Sequence, residues 1–315
     1  SPDTGAEAAG ERELLDRIAA GGYDLMLVFT SFSQSPWPAA HLGLLAGVGT
    51  RVVHSREFAG AVATHWVTPP PDTTHHVDRS LHLLAAIGMP DRGRTPTLRV
   101  PDAAHAEAAD LVGAHPLRGA RFALLVPGAS CPSRRYPAAR FGAAAAMIAA
   151  AGLPVLVAGT AAEAGLVAEV VEAAGTPDVR ALPAVALPVF TALVARAAVA
   201  LTNNSGGLHL ADAVGTPVVV TYAGTERLGD VAPRAVPSVL LQEPVPCSPC
   251  RQLTCPFHQE CLDVAPARVA RAALRLAAEA PPATPTPSDV PASDPAPPDL
   301  SQEDRWLHAP AHRLA

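Results

Sequence analysis

The stretch TNNSGGLHLADAVGTPVVVTY, residues 202–222, sets two asparagines, a serine and two glycines between an apolar run and a helix-like segment. Before it, AVALT (198–202) reads as a buried strand. Residues 205–214 carry the spacing of a helix, and PVVVTY (217–222) reads as the next strand. A strand, a small polar turn, a helix and a second apolar strand form one turn of a parallel α/β layer. In such a layer ligands bind off the carboxyl ends of the strands, where this turn lies.

Working upstream, the same alternation recurs. RFALLVPGAS (121–130) is strand then loop, 137–151 a helix, LPVLVAG (153–159) a strand and 161–174 a helix, with a shorter helix at 188–196. Downstream, 266–279 forms an arginine- and alanine-rich helix. The first hundred residues repeat the theme more weakly, with a helix at 11–21, a strand at 23–30, a helix at 39–46, a strand at 51–54 and a helix at 75–88. Residues 90–117 are rich in proline and polar groups and read as the crossing between two domains, 1–117 and 118–280. From 281 the sequence PPATPTPSDVPASDPAPPDL is Pro/Ser/Asp-rich, which predicts a disordered tail over 281–315.

Three loops of the second half fall on one sheet edge: PGASCPSRRYP (127–137), GTAAE (159–163) and NNSGG (203–207). Together they suit a nucleoside diphosphate. Gly206 and Gly207 open a helix whose free N–H groups can meet an anion. Arg134 or Arg135 can pair with phosphate in forked geometry, Glu163 can accept from ribose hydroxyls, and His209 can donate to a phosphate oxygen. Each residue also has a plainer reading: the glycines as a tight turn, Asn204 or Ser205 as a helix cap, the arginines as a solvated face, Glu163 as a favourable charge in a helix's first turn. Neither a G-x-G-x-x-G nor a P-loop motif stands on the expected turns, which disfavours nicotinamide dehydrogenases and P-loop NTPases.

The segments PGASCPSRRYPAARFG, GTAAEAG and NNSGGLHLADAVGTPVVVTYAGT, followed by PCSPCRQLTCPFHQECL, resemble glycosyltransferase family 9, the heptosyltransferase-like enzymes, over 118–279. Residues 23–90 resemble the later part of that family's N-terminal domain. The resemblance implies an α/β fold of GT-B type, two facing Rossmann-like domains with the N-terminal one incomplete. It also implies inverting, metal-independent transfer of a sugar, heptose-like or another hexose, from a nucleotide-diphosphate donor. Ser130 and Arg134 match the phosphate-binding positions, Glu163 the ribose-binding acid, and Ser205, Gly206 and His209 the diphosphate-binding turn. Arg134 would stabilise the leaving group and stands where many members have lysine. Asn204 stands where many have aspartate, so a charge-based role there is lost while a hydrogen-bonding one survives. The acidic residue that resembles the family's base has no counterpart ahead of Tyr23, and the base is expected upstream of Ser1. A non-catalytic nucleotide-sugar-binding module is the alternative, and an epimerase of the same architecture a third reading.

Cys247, Cys250, Cys255 and Cys261 form a C-x2-C-x4-C-x5-C cluster, which suggests a structural zinc or iron–sulfur site, with disulfides or free thiols as the other readings. Catalysis itself needs no cofactor. All 23 basic residues are arginine, which excludes a lysine nucleophile, and the net charge of −6 argues against nucleic acid as a partner. No apolar run approaches the ~20 residues of a membrane span, and the N-terminal residues lack a signal-peptide layout. A cytoplasmic protein of envelope-glycan synthesis is the expectation, acting on a glycan, lipid-linked or small-molecule acceptor. A lipid-linked acceptor would add peripheral membrane association.

Overall fold

The computed structural model describes residues 4–31, 34–57, 60–115 and 121–280; the tail expected from 281 onward lies outside them. The described residues up to Arg94 form one compact unit and those from Thr95 another.

The first unit holds a parallel sheet of order β1-β2-β3, built from β1 (Leu25–Val28), β2 (Thr50–His54) and β3 (His65–Val67). Helices α1 (Thr4–Ala20), α2 (Trp37–Leu45) and α3 (His76–Ala86) complete it. β3 has only three residues and was not legible as a strand; Val52–His54 of β2 pair with it. Buried Arg51 is satisfied by carbonyls, its Nε donating to Val62 O at 2.8 Å, Nη2 to Ala61 O at 3.0 Å and Nη1 to Val48 O. His54 closes β2, buried against α3, with Nε2 3.2 Å from Nδ1 of His82.

The second unit has a six-stranded, all-parallel sheet of order β6-β5-β4-β7-β8-β9. Its strands are β4 (Ala123–Val126), β5 (Val155–Val157), β6 (Val179–Ala181), β7 (Val199–Asn203), β8 (Val218–Thr221) and β9 (Ser238–Leu241). β4, β5, β7 and β8 are buried throughout, as continuous Val/Leu/Ala runs require when both faces are covered. Read in chain order within the unit this is 3-2-1-4-5-6, the dinucleotide-fold order, so the winding reverses between β4 and β7.

On one face, α5 (Ala138–Ala150), α6 (Ala164–Ala174) and α9 (Pro266–Glu279) cover Leu125, Val157, Val199 and Val219. α9 buries Val269, Ala273, Leu276 and Ala277, and turns Arg268, Arg271 and Arg275 outward. On the other face lie α4 (Asp102–Gly113), α7 (Leu187–Arg196) and α8 (Gly206–Val214).

Two differences from the sequence reading follow from packing. Residues 102–113, expected within an irregular crossing, form α4, begun by Pro101 with Asp102 in its first turn, and Ala104 and Ala108 pack with the core of the second unit. The compact units therefore divide at 94/95 rather than at 117. The edge strands β6 and β9 also escaped notice, each being only three or four residues long and partly exposed.

Burial, then the charge of Arg79 and of His82, lowers the His54 pKa to about 4. Because the unfolded chain takes up this proton near pH 6.5 and the folded one only near pH 4, the group destabilises the fold progressively as pH falls through that window, by on the order of 3 kcal/mol at its lower end. Melting temperature against pH is expected to fall less steeply between 6.5 and 4 in His54→Leu than in the parent chain. Parallel curves would mean that His54 is not what titrates.

Candidate active site

The loops after β4, β5 and β7 converge at the winding reversal, and a cavity of about 350 Å³ opens there. Five of the residues picked from sequence line it: Ser130, Glu163, Ser205, Gly206 and Gly207.

Asn203, the last residue of β7 and fully buried, fastens the loops. Its Nδ2 donates to Pro127 O at 2.7 Å; its Oδ1 accepts from Tyr136 N at 2.9 Å and from Thr221 Oγ1 at 2.9 Å. One amide thus joins both ends of the arginine loop to β7 and β8.

Ser205 occupies the cap position of α8, yet its hydroxyl turns away from the helix and donates to Gly128 O at 3.2 Å. The plainer capping reading therefore does not hold, and the backbone N–H groups of Gly206 and Gly207 have no protein acceptor among the described residues. A Cβ at Gly207 would lie 2.7 Å from Thr202 Oγ1, so glycine lets α8 start hard against β7. A Cβ at Gly206 would meet nothing within 4 Å, on the open side where an anion can approach.

Glu163 ends the short 3-10 turn Ala161–Glu163 rather than standing inside a helix begun at 161; α6 starts at Ala164. Its Oε2 accepts from Thr160 N at 2.9 Å and Thr160 Oγ1 at 2.8 Å, which holds the carboxylate while leaving Oε1 toward the cavity loop. A Cβ at Gly128 would lie 2.0 Å from that Oε1, so the glycine makes room for the acid.

The two arginines are used differently. Arg135 donates from Nε and Nη2 to Ala129 O at 3.1 and 3.0 Å and braces its own loop. Arg134 does not line the cavity. It is paired with Glu226 through Nη2 and donates from Nε to Thr225 Oγ1 at 3.1 Å. Asn204 joins them, its Nδ2 donating to Glu226 Oε2 at 2.7 Å and its Oδ1 accepting from Ala223 N at 3.0 Å. Position 204 thus carries no carboxylate of its own but holds one from the loop after β8. His209 sits exposed in the first turn of α8 and is not among the cavity-lining residues described.

Sequence reading missed Glu226 and Thr225, although GTER (224–227) follows β8 on the same carboxyl edge and offered that signal. It also missed the apolar side of the cavity, formed by Val185, Leu187, Phe190 and Leu210 with Pro183.

The four cysteines do gather, around a separate cavity of about 20 Å³ shared with Ser133, Gly224 and Thr225. They are free thiols, and among the described residues no group of three or more His, Cys, Asp or Glu side chains is arranged to hold a metal ion. The expected zinc or iron–sulfur site thus has no support in this arrangement. Their segment is held by protein hydrogen bonds instead: Cys250 N to Gly224 O at 2.9 Å, Ser133 N to Leu253 O at 3.2 Å and Ser133 Oγ to Gln252 O at 2.5 Å. Burial pushes the Cys261 thiol up, away from thiolate chemistry. Through these contacts the cysteine segment backs the loops that carry Arg134 and Glu226.

A six-stranded parallel sheet of order 3-2-1-4-5-6, with a helix start, an acid and an apolar wall lining one cavity at its reversal point, defines a Rossmann-type unit within an α/β chain of GT-B class. The sequence profile of glycosyltransferase family 9 (heptosyltransferase) matches residues 12–260, and the chain belongs to that family. Its fold is similar to that of E. coli ADP-heptose lps heptosyltransferase II, with 20% identity, a TM-score of 0.67, and 87% of this chain and 82% of that one covered. A family 9 glycosyltransferase from Veillonella parvula gives 19%, 0.67, 87% and 79%. The E. coli heptosyltransferase WaaC solved with ADP gives 14%, 0.58, 85% and 78%. No curated protein sequence matches the chain significantly. As a member of this family the chain is a glycosyltransferase. No described helix is long and apolar enough to cross a membrane.

Asn203→Ala strands buried backbone groups at Pro127 and Tyr136 and is expected to cost on the order of 3 kcal/mol, lowering the melting temperature by about 6–12 °C. Gly128→Ala pushes the Glu163 carboxylate aside, so nucleotide affinity should drop while the melting temperature stays within about 2 °C. Calorimetric titration beside a thermal melt separates the two effects, and a Gly128→Ala variant with unchanged affinity would detach Glu163 from the ligand.

Proposed function

We propose that the 350 Å³ cavity receives the nucleoside diphosphate of a nucleotide-sugar donor, and that the enzyme passes the sugar, with inversion, to an acceptor hydroxyl. The observation that carries this reading is the division of one cavity into three chemistries. Free N–H groups at Gly206 and Gly207 suit the diphosphate, the Glu163 carboxylate the ribose hydroxyls, and the Val185–Phe190 wall with Leu210 the base. Ser130 adds a hydroxyl at the phosphate end. The WaaC structure solved with ADP, and the ADP-heptose named for heptosyltransferase II, make adenine the first base to try and a heptose-like or other hexose the sugar.

In the reaction the acceptor oxygen attacks the anomeric carbon as the bond from that carbon to the diphosphate oxygen breaks. A carboxylate base takes the hydroxyl proton, and the electron pair leaves with the diphosphate. Negative charge develops on that leaving oxygen. The start of α8 opposes it with preorganised N–H groups and a positive dipole end, and Arg134, outside the cavity lining and paired with Glu226, has Nη1 to offer the diphosphate. None of this needs a bound cofactor. The acceptor is read as a glycan, lipid-linked or small molecule handled in the cytoplasm, a lipid-linked one bringing the enzyme to a membrane surface.

Thermal shift with ADP, GDP, UDP and dTDP tests the donor site. At 100 times its dissociation constant a ligand adds about 2.7 kcal/mol, several degrees for a chain of this size. One nucleotide should move the parent chain and move Arg134→Ala and Glu163→Ala markedly less. Equal shifts in all three proteins would put the nucleotide elsewhere.

A further inference from the structure

Three strand-end loops meet at one carboxylate. Glu226 Oε1 takes Nη2 of Arg134, from the loop after β4; Oε2 takes Asn204 Nδ2 at 2.7 Å, from the loop after β7, and Thr225 Oγ1 at 2.6 Å, from its own loop after β8. Thr225 Oγ1 in turn accepts Arg134 Nε at 3.1 Å, so the guanidinium is gripped along one edge by two neighbouring residues. Thr225 and Asn204 are buried, and the Glu226 side chain is only 13% exposed. With three donors on its oxygens this carboxylate is engaged in orienting its neighbours and is poorly placed to take a substrate proton. Nη1 of Arg134 is left without a protein partner among the described residues, and the arginine side chain keeps 25% exposure.

We propose that Glu226 is a positioning residue of the donor site: by holding Nη2 of Arg134 and the amide of Asn204 it fixes the guanidinium plane so that Nη1 meets the diphosphate beside the start of α8. The proposal rests on the nucleotide-sugar reading above. An unanchored arginine would have to lose its rotamer freedom on each binding event, whereas one already fixed brings its cation to the phosphate at lower entropic cost. Asn204 shares the effect, because it is the residue directly before Ser205, and its placement sets where the phosphate-facing turn begins.

Charge alone argues the opposite way. A carboxylate near a diphosphate repels it, so a Glu226 that mattered only through its charge would tighten binding when removed. This opposition makes a double-mutant cycle decisive. ADP and GDP would be titrated calorimetrically into the parent chain, Glu226→Ala, Arg134→Ala and the double variant, with melting curves for each.

The expected result is a loss of affinity of about tenfold for Glu226→Ala in the parent background and less than about twofold in the Arg134→Ala background, with Glu226→Asp recovering part of it. Equal losses in both backgrounds, or tighter nucleotide binding by Glu226→Ala, would overturn the proposal. Should Glu226→Ala fail to fold, Glu226→Gln keeps an acceptor for the arginine and removes the charge: positioning expects affinity within about twofold of the parent, and clearly tighter binding would overturn the proposal in favour of a charge effect. If neither nucleotide binds the parent chain, the donor-site reading fails and takes this one with it. If nucleotide binds and depends on Arg134 but not on Glu226, only the positioning role fails.

Discussion

A single buried amide organises the carboxyl edge of the sheet in the second unit. Asn203 ends β7 with its side chain turned under the arginine loop, and it spends both functional atoms on the backbone and hydroxyl of neighbouring elements. A charged or apolar residue of similar size would leave Pro127 O or Tyr136 N unpaired in a dry interior, and the loss would be felt in three elements together. The Tyr136 ring continues the support. It packs edge-on against Phe141 with centroids 4.8 Å apart, while its hydroxyl donates to Val264 O at 2.6 Å. The path of the arginine loop is therefore set from below, before any ligand contact is considered.

The parallel order of the sheet determines what that support is for. Because the winding reverses between β4 and β7, helices leave these two strands toward opposite faces and open a crevice between their loops. Small residues keep the crevice open: Gly128 gives the Glu163 carboxylate its approach, and Gly207 lets α8 begin against Thr202. A turn with larger side chains would fill the space that the helix N–H groups face.

The parts that were legible in the sequence are those fixed by local periodicity and by small residues at strand ends. Continuous apolar runs marked β4, β5, β7 and β8, and the glycines with Ser130, Glu163 and Ser205 marked the cavity. Edge strands of three or four residues left too short a pattern, and α4 was hidden because its buried face is alanine, too small and too weakly apolar to mark a helix period beside the prolines that flank it. The apolar wall from Val185 to Phe190 comes from a segment whose exposure looks like ordinary surface until the sheet places it over β5. The cysteine spacing did place four thiols around one cavity, while the backbone hydrogen bonds that tie their segment to Gly224 and Ser133 left no mark in the sequence.

The arginine at 134 explains why its surroundings are as they are. A lysine there would bring three donors on one mobile nitrogen, all able to turn toward a phosphate. Arginine brings five donors in a rigid plane, and those facing the protein need acceptors if the group is to sit partly buried. Thr225 and Glu226 are those acceptors, and Asn204, a neutral residue where the resemblance leads one to expect an acid, is the partner Glu226 can hold without a second negative charge beside it. With aspartate at 204 and glutamate at 226, two carboxylates would face each other across one guanidinium, and their repulsion would have to be met by that single cation. Arg134, Asn204 and Glu226 thus form one consistent set: the identity of each limits what the other two can be.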